Sequence, residues 1–482
     1  MLGVYFICGI ILAGLILLYP GKRSSLVYAS VFVILQVAFS VYALLNRDKI
    51  ELNYFTYDSL AIVFLLLMAL IASASFYHSI GYVREDSRKK RALFFFSFIA
   101  LNISLTGVYT ANNIIVSWIF IELTTLSAAG LINHNRSLTS LEATWKYVFI
   151  CSVGIALAYI GILFASATSG VGQTGDMSFA SLRSSFAGID PVYLKIAFIL
   201  ILTGYSSKLE VFPLYTIGID ANYVAPAPVS AFLSTALVNG GFIAFFRVFT
   251  SMADSSIIEW INHVLLITGL LSLLASAIYM QKASNLKRVF AYSTVEHMGL
   301  VLIALSFGKT GIYIALIQIT VHSLIKSGLF FHAGILHRVL KSYKLSKTGG
   351  YLVLNPAGAI ILLTGVVLIT AIPPSGLFLS EFMLFNEMVN GNWLLFVAVA
   401  ALLTIIFYGI FNKNLRVIMG NPLPSHEHTG KVPLSEYITQ VVFFGLAIVA
   451  CFYLPDFLAG LFSSVSGFDT NLPLSVLNLK QN

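Results

Sequence analysis

The sequence predicts an all-α polytopic membrane protein with about fourteen transmembrane helices, including two inverted five-helix repeats that each contain a broken helix. Three observations lead there. Composition is the first: of 482 residues, 58% are hydrophobic and 10% charged, whereas a water-soluble domain carries roughly a quarter charged residues. Such a chain cannot cover itself with polar surface, so the lipid bilayer is its solvent. The second is the recurrence, from end to end, of apolar runs long enough to cross ~30 Å of hydrocarbon. The third is a pair of interruptions inside such runs, "KLEVFPLY" from Lys208 and "AIPPSGLFLSEF" from Ala371.

The opening stretch, "MLGVYFICGIILAGLILLYP", has no basic leader and no small-residue cleavage site. It reads as a first membrane helix rather than a signal peptide. Fourteen runs follow in order: 2–19, 26–45, 57–80, 92–110, 112–132, 142–167, 193–219, 228–250, 258–280, 289–307, 311–337, 354–388, 393–412 and 435–460. No water-soluble domain fits between them, the longest gaps being 168–192 and 413–434. Residues 1–91 hold the first three helices. Residues 92–250 and 258–412 form two five-helix blocks, and 413–482 hold a loop, the last helix and a tail. Five-helix blocks in tandem sit upside down relative to each other, and the broken helix is the fourth of each block. Matched breaks in inverted halves point to an ion or substrate site at mid-membrane.

Loop charges orient the chain. Loops that follow odd-numbered runs hold eighteen of the twenty-eight lysines and arginines, among them Arg84, Lys89 and Lys341. Even loops and the tail hold five. The positive-inside rule makes the odd loops cytoplasmic and puts both termini outside. The remaining five, Lys146, Lys195, Lys208, Arg247 and Lys326, lie inside apolar runs. Lys195, Arg247 and Lys146 sit near enough to helix ends to snorkel to the interface. Lys208 and Lys326 do not.

Several functions are excluded. The net charge of +8 comes with no basic stripe interleaved with aromatics, so no nucleic-acid partner is expected. Cys8, Cys151 and Cys451 are far apart in apolar runs, which leaves no disulfide framework, zinc site or iron–sulfur motif. The tract His426 to His428 is short and compositional. No metal and no cofactor are therefore expected.

A charge at the bilayer centre costs at least ~2.5–3.5 kcal/mol, so such groups are rarely idle. The deep set is Glu122, Lys208, Glu210, His322, Lys326 and Glu381. His322 and Lys326 are one turn apart and share a helix face. Lys208 and Glu210, two apart, do not face each other, so the expected partner of Lys208 is Glu122 on another helix. Lysine, carboxylate and imidazole all take up and release protons, and a buried set of them suits proton relay. The broken helix around Lys208 and Pro213 frees backbone groups that water can serve beside a cavity. The blander alternatives stay open: a static Lys208–Glu122 pair, a satisfied core histidine at 322, and a purely structural Glu210. Glu142 and Lys146 read equally as a solvated i,i+4 pair. His297, Glu296 and His332 are unassigned.

The stretches "FIELTTLSAAG", "LEATWKYVFICSVGIALA", "GYSSKLEVFPLYTIGIDANYVAPAPVSAFLS", "KRVFAYSTVEHMGL", "HSLIKSGLFFHAG" and "PPSGLFLSEF" resemble the antiporter-like membrane subunits of respiratory complex I and its relatives. Colinear similarity runs from about 57 to 412. The nearest flavour is hydrogenase-4 component F and the formate hydrogenlyase membrane subunit. The resemblance implies fourteen helices in two inverted repeats and proton movement driven by redox chemistry in a partner arm. It assigns the proton path to Glu122, Lys208, His322, Lys326 and Glu381, while Lys146, Glu210 and Asn239 are candidates for further relay positions. Asn239 stands about where several relatives carry a lysine. The chain also lacks the long lateral helix of complex I's most distal subunit.

The expected protein is thus a proton-translocating subunit of a group 4 nickel–iron hydrogenase or formate hydrogenlyase type complex, without catalysis of its own. Its partners are other membrane subunits, a peripheral redox arm and lipid, in a prokaryotic inner membrane. An Mrp-type cation/proton antiporter subunit and a membrane subunit for inorganic-carbon uptake are the alternatives.

Overall fold

The computed structural model describes residues 1–169, 176–186, 188–422 and 432–468. The tract His426 to His428 and the C-terminal tail lie outside them. Among the described residues, twelve helices are long and apolar enough to cross a membrane. They occupy twelve of the fourteen predicted runs. The first and twelfth runs hold shorter apolar helices, Leu2–Leu18 and Pro356–Ile369. Large apolar side chains such as Ile10, Ile34, Trp145 and Phe149 stay exposed on the outer faces, as expected of surfaces that meet lipid. The chain is an integral multi-pass membrane protein.

Helix starts follow capping chemistry. Asp58 accepts the N–H of Ala61 at 2.9 Å at the head of Ser59–Tyr82. Asn113 takes Ile115 and Val116 at the head of Ile114–Ile132, and Asn285 takes Lys287 before Leu286–Leu305. Asp190 with Pro191 opens Pro191–Leu209. Each short oxygen satisfies an N–H that the helix cannot, and proline at the first turn loses nothing.

Three departures from the expected elements are small but physical. A two-stranded ribbon, Ile50–Glu51 with Phe55–Thr56, interrupts the all-α reading. A short helix, Phe179–Phe186, lies in the gap expected to be loop, with Phe179, Leu182 and Phe186 buried. The last run is two helices, Ile438–Phe452 and Asp456–Ser466. Pro455 separates them, because proline cannot donate into a continuing helix.

The centre is the helix Gly308–Leu340, 33 residues long and almost wholly buried. At 1.5 Å per residue it runs about 50 Å, and it packs on both halves of the chain. Beside it, Ala227–Phe232 passes through a π-helical stretch, Leu233–Leu237, into Val238–Ser251. Helices Leu138–Ser169 and Pro191–Leu209 meet backbone to backbone: a Cβ on Gly204 would lie 2.4 Å from the Gly154 carbonyl.

Both interruptions are real breaks. Pro191–Leu209 stops at Glu210, whose φ of 55° is left-handed, and helix resumes at Thr216–Val224. Pro356–Ile369 stops before Ala371, φ 54°, and helix resumes at Gly376–Gly391. Some of the freed groups are caught locally. Phe212 N–H donates to Ser272 Oγ at 3.0 Å, Ser375 Oγ donates to Leu368 O at 2.7 Å, and Pro213 has no N–H to place.

Arg247, expected to snorkel, is instead locked inside. Its guanidinium donates to both oxygens of Asp58 at 2.7 and 3.0 Å and to Tyr109 O at 3.1 Å. Removing one member of a buried pair strands the other. Arg247→Gln is predicted to lower the melting temperature of the detergent-solubilised protein by several degrees. Adding Asp58→Asn, which keeps the cap acceptor, should return part of the loss. Additive losses in thermal melts of the two single variants and the double would contradict the pairing.

Candidate functional site

In the first half, Lys208 occupies the last turn before the break and is 2% exposed. Its ammonium donates to Tyr147 Oη at 3.1 Å and lies 5.0 Å from that ring's centroid. Helix Val238–Ser251 presses on it through Gly241, where a Cβ would come 2.7 Å from Lys208 Cβ. Glu122 accepts from Ser152 Oγ at 2.8 Å through Oε1, while Oε2 is buried without a partner.

The expected Lys208–Glu122 ion pair is absent among the described residues. Each group binds a hydroxyl on Leu138–Ser169 instead, Tyr147 for the lysine and Ser152 for the carboxylate. Neutral partners leave both charges without a direct counter-ion.

Glu210 turns the other way. Its left-handed backbone aims the carboxylate at the resumed helix, where Oε1 accepts from Asn222 Nδ2 at 3.2 Å. Gly218 makes room, since a Cβ there would sit 2.2 Å from that carboxyl. Oε2 of Glu210 has no partner.

Asn239 joins the first half to the central helix. Its Nδ2 donates to Ser323 Oγ at 3.1 Å, and both residues are buried. Four residues further along its own helix, Ser327 donates to Thr235 in the π-helical stretch at 3.3 Å. Ser323 adjoins His322, so Asn239 touches the centre of the site through one hydroxyl.

His322 and Lys326 face one neighbour, helix Leu286–Leu305, whose Ser293 and His297 are also one turn apart. The two helices are antiparallel, so the pairs match in register. The Lys326 ammonium donates to Phe290 O and Ser293 Oγ. The His322 ring lies 5.0 Å from the His297 ring, and neither His322 nitrogen has a hydrogen-bond partner.

His297, left unassigned by the sequence, is the hinge of the second half. A carbonyl can only accept, so Nε2 carries the hydrogen toward Ile369 O at 3.1 Å, at the lip of the second break. Nδ1 then accepts from Gln318 Nε2 at 3.0 Å. The same amide reaches Glu381 Oε1 at 3.4 Å, and Ser380 Oγ donates to Gln318 Oε1. Glu381 is therefore held by a side chain of the central helix, as His297 is. Glu296, also unassigned, is 5% exposed with Oε2 unpartnered.

Lys146 does not join the site. Its side chain is half exposed and pairs with Glu142 at 2.5 Å on the outer face, the solvated i,i+4 arrangement. Lys195 lies 5.5 Å from the Trp260 ring centroid. His332 sits two turns beyond Lys326 and bonds Tyr351 Oη at 3.2 Å, apart from the others.

Fold and site define a membrane chain that places proton-active side chains, linked by amides and hydroxyls, inside a helical bundle with two broken helices. Residues 111–407 match the family described as NADH:quinone oxidoreductase/Mrp antiporter, TM, and the chain belongs to that family. It is 30% identical over 437 residues to a hydrogenase-4 component F homolog from Methylacidiphilum infernorum (isolate V4), covering 88% of this chain and 90% of that one. Its fold matches a chain of the membrane-bound sulfane sulfur reductase, an archaeal respiratory membrane complex. The TM-score is 0.83 at 20% identity, over 97% of both chains. It matches a chain of the Mrp complex from Dietzia sp. DQ12-45-1b with a TM-score of 0.83 at 15% identity, over 99% of this chain and 98% of that one.

Proposed function

We propose that this chain is the proton-translocating subunit of a complex-I-related assembly of the hydrogenase-4 or formate hydrogenlyase type. The redox chemistry resides in partner subunits. The observation that carries the reading is the buried polar set on the two broken helices, the central helix and its neighbour Leu286–Leu305. Lys208 stands at one break, His297 and Glu381 at the other, and His322 with Lys326 between them. The nitrogens of His322 and the second oxygens of Glu122, Glu210 and Glu296 have no protein partner. Buried groups of that kind are served by water, which is what a proton path through a bundle needs. The 30% identity to a hydrogenase-4 component F homolog supports this assembly over an Mrp-type antiporter.

Residues 92–250 and 258–412 serve as the two inverted halves, which the paired breaks favour. Both termini lie outside and the loops 81–91 and 338–352 are cytoplasmic, from the loop charge bias. A cysteine placed at Lys89 should react only from the cytoplasmic side of sealed vesicles. Labelling from the outside reverses the orientation.

Lys326 is the centre of the path. Lys326→Ala is predicted to abolish proton uptake by vesicles that carry the intact complex, while redox turnover by the partner subunits persists. Lys326→Arg should fail nearly as badly, because arginine keeps its proton. Normal uptake by an assembled Lys326→Ala complex would make Lys326 a packing residue and move the path elsewhere.

A further inference from the structure

A cavity of about 300 Å³ lies where helix Lys22–Leu45 meets the end of Ser59–Tyr82 and the turn that follows. It shares no residue with the polar set. Lys22, Arg84 and Arg91 line it beside Leu26, Ile80 and Val83, and among the described residues no carboxylate and no aromatic ring does. Arg91 is 4% exposed. Its guanidinium donates to three carbonyls of the turn before its helix: Nε to Val83 O at 3.2 Å, and Nη2 to Arg84 O at 3.3 Å and Asp86 O at 2.6 Å. Nη1 has no acceptor among the described residues. The carboxylate of Asp86 is taken by Lys90 and His134, each at 2.8 Å. Glu85 is exposed and forms no ion pair among the described residues.

Three cations share one cavity without a counter-charge, and one of them is buried, an arrangement that an anion stabilises. The carbonyls fix the Arg91 fork but add no net negative charge. A guanidinium held in this way, with a lysine and a second arginine beside it, matches the oxygens of a phosphate. Lys22 opens its helix, whose first turn has no side-chain cap, so open N–H groups add to the attraction. With no ring in the wall, a nucleotide base has no face to stack on. Leu26, Ile80 and Val83 instead make part of the wall apolar, and Val27 and Val31 leave apolar surface exposed on the first of these helices. Basic pockets between membrane helices take phospholipid headgroups. We propose that Lys22, Arg84 and Arg91 bind the phosphate of one anionic phospholipid, whose acyl chains lie along helix Lys22–Leu45. The site goes beyond the proton path and stands whether or not that path conducts.

Radiolabelled dioleoylphosphatidylglycerol, titrated in mixed micelles onto the delipidated full-length chain, tests it against dioleoylphosphatidylcholine. Wild type is expected to bind phosphatidylglycerol saturably and phosphatidylcholine at least about tenfold more weakly. Lys22→Gln/Arg84→Gln, which changes two exposed side chains of the cavity, should weaken phosphatidylglycerol binding at least about tenfold. Arg88→Gln/Lys89→Gln removes the same charge from exposed positions outside the cavity and should change it by less than about twofold. Location is read independently at Gly81, which lines the cavity and where a Cβ would meet no atom within 4 Å. In a chain with Gly81→Cys and with Cys8 and Cys451 changed to serine, phosphatidylglycerol should slow maleimide alkylation relative to phosphatidylcholine. Equal binding of the two lipids by wild type overturns the site. Wild-type affinity in a folded Lys22→Gln/Arg84→Gln chain overturns it too, as does an equal loss in Arg88→Gln/Lys89→Gln. Displacement of the lipid by an equal concentration of inorganic phosphate overturns the lipid as its ligand, and retention supports it. If Lys22→Gln/Arg84→Gln does not fold, equal alkylation rates in the two lipids overturn the site, and slowing by phosphatidylglycerol supports it.

Discussion

A backbone that leaves its helix inside a bilayer must find partners for the groups it frees, because each one left bare costs several kcal/mol. This chain meets that constraint twice, with polar side chains brought in from neighbouring helices. Ser272 accepts the N–H of Phe212 at the first break, and His297 donates to the carbonyl of Ile369 at the second. The site grows from these repairs. Once His297 is fixed by Ile369, its other nitrogen needs a donor. Gln318 of the central helix supplies it and in the same stroke reaches Glu381. At the first break the left-handed turn at Glu210 does the corresponding work, separating the carboxylate from Lys208 and handing it to Asn222.

The central helix Gly308–Leu340 is the second necessity. Gln318, His322, Ser323, Lys326 and Ser327 all project from it and are buried. They bind, in turn, the second break, the His297 ring, Asn239, Ser293 and the π-helical stretch. The ionisable groups are thereby separated by neutral amides and hydroxyls rather than locked in ion pairs. A buried salt bridge would hold its protons and its geometry together. Neutral links such as Tyr147 at Lys208 and Ser293 at Lys326 leave the charges free to change.

Much of this was legible beforehand. Apolar runs located the helices because a bilayer enforces length and composition, and the prolines at 213, 373 and 374 marked both breaks. The deep lysines, His322 and Glu381 stood out against hydrocarbon. Other features were hidden for definite reasons. Glu296 and His297 look like ordinary polar residues of one helix. Their significance comes from Ile369 and Gln318, which lie far from them in sequence and which no periodicity connects. The expected Glu122–Lys208 pair assumed that opposite charges seek each other, whereas a tyrosine and a serine of a third helix reached them first. Lys146 lies inside an apolar run but near its helix end, and the face it occupies points outward, where it pairs with Glu142. Pro455 was visible in the sequence, but the apolar residues on either side of it disguised a second short helix.

The central claim is that both halves form one path, joined through the hydrogen bond from Asn239 to Ser323. Asn239→Leu keeps the branched shape and the charge but removes the amide. The decisive measurement is proton uptake per redox turnover in vesicles carrying the assembled complex with this single change. A continuous path predicts uptake at background level with turnover retained. Unchanged uptake in a fully assembled complex would mean that the two halves move protons separately, and it would contradict the account.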